Sequence, residues 1–290
     1  MNQPLNNSNS EIDRLQDEVK NLNLRLEELN DKLQKSENYK SHFLSLVTNE
    51  IINPFTSILG LSKAIIQLDD NDVKKARELA QIIYSEAFIL DFQLNNIFMA
   101  ARLEAGEATA APSMVDILSV IKNVAEEFHL ECEEKSIEIV IDDSSFDGAG
   151  RFVTDPVILK NVVLNLVSNA IKASDSNNKI IIKTWINDGQ LFINVQDFGI
   201  GIEPDKLTEL FDRFKKLDDT INSINTGSGI GLPVVRGALD LLHGRLEVES
   251  KVGEGSTFKV VIPEAIRTEC GFATDDGELF FDMDDDAESF

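Results

Sequence analysis

Apolar residues fall at Ile12, Leu15, Val19, Leu22, Leu26, Leu29 and Leu33, spaced alternately by three and four positions. A seam of this period predicts a two-stranded coiled coil over residues 11–40, with a single amphipathic helix packed on its own domain as the alternative. The helical pattern continues through Tyr39 to about Gln67, interrupted only by Pro54. The polar run Leu68 to Asp72 then predicts a turn, with Asp72 placed to cap the next helix. That helix carries Val73, Ala76, Leu79, Ala80, Ile83, Phe88, Phe92, Ile97 and Phe98, and ends near Gly106. Two long helices joined by a tight turn make an antiparallel hairpin over residues 41–106. One hairpin cannot cover its own apolar face, so two copies are expected to pair into a four-helix bundle, which makes the chain a homodimer.

After the hairpin the period changes. The run Gly106 to Pro112 (GEATAAP) reads as a linker, bounded as residues 107–113. Beyond it the pattern predicts helix 116–133, strand Ile137–Ile141, helix 155–173, and strands Lys179–Trp185 and Gln190–Gln196. A helix over 230–243 and strands Arg245–Ser250 and Ser256–Ile262 close a compact α/β domain, bounded as residues 114–265. Residues 1–10 read as a disordered leader. Residues 266–290 form an acidic tail: nine acidic and no basic residues between Thr268 and Phe290, around the phrase Glu278-Leu-Phe-Phe-Asp282. Such a tail is either solvated and disordered or a segment that grips a basic groove.

Composition narrows the class. The 290 residues are 42% apolar, enough for a core that folds unaided. No stretch approaches the roughly eighteen uninterrupted apolar residues that a membrane span needs. Met1 to Ser10 has neither the basic nor the apolar segment of a secretory signal, so a cytoplasmic location is expected. A net charge of -24 would repel nucleic-acid phosphates. Cys132 and Cys270 lie far apart, as reduced thiols would.

Four short motifs follow one another between residues 165 and 232. Asn165-Leu-Val-Ser-Asn169-Ala-Ile-Lys172 lies on a helix, with Asn165, Asn169 and Lys172 on one face. An amide oxygen is a hard ligand suited to Mg²⁺, and a lysine is a point charge for phosphate. Asp197-Phe-Gly199-Ile-Gly201 follows an apolar strand, where a carboxylate on a turn accepts from an amine while the backbone passes close to a flat base. Phe211-Asp-Arg-Phe214 adds aromatic surface beside Lys215 to Thr226, and Gly227-Ser-Gly229-Ile-Gly231-Leu232 opens a helix whose free N–H groups suit phosphate. Each motif alone is weak; their order and their placement carry the reading.

Together they resemble the ATP-binding domain of the sensor histidine kinases, a branch of the fold shared with Hsp90, type II topoisomerases and the MutL proteins. The resemblance covers residues from about 40 to 263 and implies ATP and Mg²⁺ as cofactors. On it, Asn169 would hold Mg²⁺ with Asn165 alongside, Lys172 would face the phosphates and Asp197 would read the adenine amine. Gly199 and Gly201 would pack near the base, Phe214 beside the lid, and Gly227, Gly229 and Gly231 along the lid and phosphate pocket. Thr257, in Ser256-Thr257-Phe258 of the last strand, would stand near the adenine. The resemblance also implies a response regulator or another histidine kinase as partner.

One position departs from the family. Its first hairpin helix carries a stretch like Phe-(x)4-Ser-His-Glu-(x)2-Thr/Asn-Pro. Phe43, Glu50, Asn53 and Pro54 fix the register, and the phosphate-accepting histidine's place falls on Asn49. An amide nitrogen's lone pair is delocalised into its carbonyl and is no nucleophile, which leaves Glu50 a base with nothing to activate. Asn53 keeps the E-x-x-T/N spacing that orients water against a regulator's aspartyl-phosphate. Ile52 and Phe55 also depart from the pattern. His42 lies seven residues upstream on nearly the same face, about 10 Å along the helix; His129 and His243 read as structural. Three readings fit: an enzyme that acts on a partner's phosphate, possessing no autokinase activity; an ATP-sensing scaffold; and a kinase that uses His42.

Overall fold

In the computed structural model the described residues are 18–23, 25, 26, 29, 30, 51–69, 71–144, 150–207, 210 and 229–265. The chain divides into two compact units, Met1–Ile52 and Asn53–Phe290. In the first, the described residues of the predicted seam are helical, and Val19, Leu22, Leu26 and Leu29 are exposed.

The second unit opens with helix α1, residues 53–66 of a helix that continues straight through the buried Pro54. Helix α2, Val73–Ala105, follows after the turn and ends at Gly106, whose left-handed φ of 69° lets its N–H reach back to the carbonyls of Arg102 and Leu103. Asp72 stands at the N-cap, but its side chain makes no capping bond there. Its carbonyl accepts the N–H of Ala76 instead. Ser57 on α1 donates to Glu86 on α2 at 3.3 Å, joining the two helices.

The α/β part has a five-stranded sheet in the order β2-β4-β5-β7-β6, formed by Glu138–Asp142 (β2), Lys179–Asn187 (β4), Gln190–Asp197 (β5), Arg245–Lys251 (β6) and Gly255–Pro263 (β7). β2 and β4 are parallel, the crossover between them running through helix α5, and the other pairs are antiparallel. Helices α3 (Ile117–Glu127), α5 (Pro156–Ala173) and α7 (Gly231–Leu241) cover one face. Ile180, Ile182, Leu191, Ile193 and Val260 of the sheet meet Ile121, Leu159, Val162, Leu166 and Val235 there, all fully buried. The short helices α4 (His129–Lys135) and α6 (Pro204–Leu207) also lie among the described residues.

Two further features differ from the sequence expectation. The expected helix 116–133 is two helices, α3 and α4, broken at Phe128, whose ring is buried against Phe88 and Phe92 of α2. Strands β1 (Ser113–Asp116) and β3 (Arg151–Thr154) pair antiparallel and were not anticipated, since four residues each are too few to show a period.

α2 lays a stripe across the helical layer. Phe88 and Phe92 meet Phe128 edge-on at 5.3 and 6.3 Å, Met99 packs on the core, and Leu103 packs on Gly237 of α7. The linker that follows is pinned too. Asp155, the N-cap of α5, accepts from Val157 and Ile158 on one oxygen and from Ala111 at 2.7 Å on the other. Hairpin helix and α/β domain therefore belong to one compact unit.

Candidate nucleotide-binding site

The end of β5 places Asp197 at the rim of the sheet, 2% exposed. Its Oδ1 accepts the backbone N–H of Gly199 at 3.0 Å and of Ser256 at 3.2 Å, and no bond among the described residues falls on Oδ2. Burial pushes this carboxyl above the ordinary range, while the N–H groups of Gly199, Ser256 and Asp197 itself favour its charged form and hold it back. The result is a buried acceptor, fixed in orientation, with one oxygen left to read a donor.

The glycines around it serve close backbone approach. A Cβ on Gly199 would stand 1.9 Å from the carbonyl oxygen of Ala173 at the end of α5. Gly255 has φ 99°, and a Cβ there would stand 2.2 Å from the Asp197 carbonyl. Gly255 was not among the expected residues, although it sits beside the Ser-Thr-Phe motif. Ser256 was missed in the same way. Thr257 pairs in register with Gln196, which puts both on the face opposite Asp197, and it is the Ser256 N–H that touches the carboxylate. Ser250 ties the rim together, accepting from the N–H of Ile202 at 2.8 Å and donating to the Gly255 carbonyl at 3.0 Å.

The expected amide face lies on α5. Asn165 is buried and bonded to Asn96 and Asn161. Asn169, one turn on, is partly exposed, and its Nδ2 is buried with no partner among the described residues. A half-turn of this amide brings the hard oxygen donor to that position, so the residue fits the Mg²⁺ role the resemblance implies. The beginning of α7 adjoins the same face, since a Cβ on Gly231 would stand 2.7 Å from Asn165 Oδ1. Ile230, the N-cap of α7, gives no side-chain capping bond, and Gly229 before it takes a φ of 69°.

Lys172 is exposed, with Glu131 of α4 close enough to feel its charge. Burial raises the Glu131 carboxyl to about 7, against the pull of Lys172. The native state thus binds this proton more tightly than the unfolded chain does. Its contribution to stability falls as pH rises from the unfolded value through about 7. The same ionisation gives Lys172 a competing anion. Nucleotide affinity is therefore expected to drop a few-fold between pH 6 and 8, and Glu131→Gln to flatten that slope in titration calorimetry (about twofold to fivefold for a partly exposed pair).

Among the described histidines, His129 pairs with Glu133 at 3.3 Å on the surface and His243 sits exposed in a left-handed turn after α7. His42, Phe43, Asn49, Glu50, Phe214 and Gly227 lie outside the described residues, as do most of the expected coiled coil and all of the acidic tail. Asn53 is exposed on α1.

Comparison with known proteins agrees with this geometry. Residues 154–266 match the family described as histidine kinase-, DNA gyrase B-, and HSP90-like ATPase. The chain carries a histidine-kinase-type ATPase domain. This domain and the helices before it are 27% identical over 259 residues to the circadian input-output histidine kinase CikA of Synechococcus elongatus, covering 87% of this chain and 34% of that one. They are 30% identical over 238 residues to the autoinducer 2 sensor kinase/phosphatase LuxQ of Vibrio parahaemolyticus, covering 79% and 27%. The chain thus spans about a third of the length of these relatives. In fold it is similar to full-length ShkA in complex with AMPPNP, at a TM-score of 0.55 and 24% identity over 77% of this chain and 46% of that one. No helix among the described residues is long and apolar enough to cross a membrane.

Proposed function

We propose that the chain binds Mg-ATP at the site of Asn169, Lys172 and Asp197 and acts in two-component signalling without phosphorylating itself. The observation that carries this is Asp197: a buried carboxylate whose Oδ1 is held by two backbone N–H groups while Oδ2 has no bond among the described residues. A fixed acceptor of that kind selects a flat base bearing an amine. The partly exposed Asn169 supports a metal-bound phosphate nearby. The partner is a response regulator or a second histidine kinase. Asn53, exposed on α1, supports a phosphatase reading, in which its amide positions water against a regulator's aspartyl-phosphate. The relative LuxQ is named a kinase/phosphatase, which fits a chain that has lost one activity and kept the other.

The test supplies phosphorylated response regulators from the same cell and follows their decay. Decay is expected to quicken about tenfold or more with this chain present, a typical contribution of positioning, and Asn53→Ala is expected to remove the effect. Binding of a regulator with no change in phosphate lifetime would favour the scaffold reading, in which the chain acts by contact alone.

The active form in this reading is a homodimer. Leu22 and Leu29 on the seam and Phe55, Leu59 and Ile66 on α1 are all more than half exposed in the single chain, leaving apolar faces for a second copy to cover. Changing Leu22 and Leu29 together to Lys is expected to weaken association in sedimentation experiments. A wild-type chain that sediments as a monomer at micromolar concentration would exclude the dimer.

A further inference from the structure

Asn96 projects from α2 into the interior at 5% exposure and meets the first asparagine of the expected nucleotide face. Its Nδ2 donates to Asn165 Oδ1 at 3.0 Å, and Asn165 Nδ2 donates back to Asn96 Oδ1 at 2.7 Å. Asn165 Nδ2 also reaches the backbone oxygen of Asn161 at 2.9 Å and its Oδ1 at 3.1 Å. An amide nitrogen has two N–H groups, so both donors of Asn165 are committed. On its other side the amide faces Gly231, where even a Cβ would come within 2.7 Å of Oδ1. Asn165 is therefore enclosed between α2 and the start of α7. Asn169, one turn further along the same face, is partly exposed and has a nitrogen without a partner among the described residues. Half of the amide face is covered by α2 and half is open.

Resting on the nucleotide reading above, we propose that Asn96 is a positioning residue that acts through Asn165, so that docking of α2 and binding of nucleotide compete for one amide. With α2 docked, Asn165 points at Asn96 and is withheld from phosphate and metal. When nucleotide engages Asn165, the reciprocal pair breaks, and the rest of the α2 stripe, Phe88, Phe92 and Leu103, holds less firmly. The coupling is reciprocal by thermodynamic necessity: whatever factor α2 docking takes from nucleotide affinity, nucleotide takes from docking. Through this contact the state of the nucleotide site reaches the helix that pairs with α1, on which Asn53 is exposed.

The experiment uses the full chain with Mg-ADP as the probe. Calorimetry compares wild type with Asn96→Ala, which deprives Asn165 of its partner, and with Leu103→Ala, which loosens α2 from α7 without touching Asn165. Both variants are expected to bind Mg-ADP more tightly, by about two- to tenfold, the worth of one net hydrogen bond. Hydrogen exchange in wild type is expected to quicken over residues 88–103 when Mg-ADP is added. A merely structural Asn96 would lower the melting temperature and leave both readouts unmoved, and that result would overturn the proposal. If Asn96→Ala fails to fold, Leu103→Ala and the wild-type exchange decide it by the same signs. If wild type binds no Mg-ADP at all, the nucleotide reading itself has failed, which the calorimetry distinguishes from equal binding by all three proteins.

Discussion

Replacing Asp197 with asparagine is expected to weaken nucleotide binding about a hundredfold or more while leaving the fold intact. Asp197 Oδ1 already accepts from Gly199 and Ser256, and an asparagine carbonyl oxygen can take over both bonds. That choice places the new NH₂ group where Oδ2 stood. An adenine amine arriving there meets a donor instead of an acceptor, at a residue only 2% exposed. A buried donor left without a partner costs about 1–3 kcal/mol, and the lost charge-assisted bond adds to it. Calorimetry with Mg-ADP reads the loss directly, and a thermal melt checks that the two N–H bonds have kept the loop closed. Undiminished binding by a folded Asp197→Asn protein would show that the base is read elsewhere.

The sheet and its helices were legible because their residues repeat. β4 and β5 alternate buried and half-exposed positions, as a strand covered on one face must, and α5 carries a broad apolar surface beside its one amide face, both largely buried. Asp197 and its glycines were legible for a different reason: a carboxylate and two glycines in five residues is a backbone demand written locally. The finer placement at the last strand was not. Ser256 and Thr257 are chemically alike and adjacent, and only the register Gln196↔Thr257 reveals that Ser256 is the one beside the carboxylate. Asn96 was beyond reach altogether. It lies 69 residues from Asn165, and no local pattern distinguishes a buried asparagine on a long helix from a solvated one.

The hairpin shows how one pattern serves two surfaces. Its apolar positions were assigned to a bundle with a second copy. In the structure Phe88 and Phe92 are instead part of the stripe that α2 lays on the ATPase domain, whereas Phe98 stays 61% exposed. Periodicity counts apolar positions on a helix but cannot say which neighbour each of them meets. α2 is therefore packed on the ATPase domain along one side, where Asn96 meets Asn165, and leaves Phe98 uncovered on another.

Incubated with γ-labelled ATP, the unmodified chain is expected to acquire no acid-labile phosphate. The reaction needs a nitrogen lone pair directed at the γ-phosphorus, and the amide of Asn49 holds its lone pair in conjugation with the carbonyl. Nucleotide binding as proposed would not compensate, since ATP supplies the phosphate donor and not the acceptor. Asn49→His restores an imidazole beside Glu50, the general base the resemblance implies, and some labelling is then expected. It should fall short of an ordinary kinase, because Ile52 and Phe55, three and six positions further along the sequence, stand exposed at 53% and 52% where the family pattern has other side chains. Base-stable, acid-labile label on Asn49→His and none on the wild type would place the lost activity at this one position. Strong label on the unmodified chain would overturn the reading, and its disappearance in His42→Ala would move the acceptor two helical turns upstream.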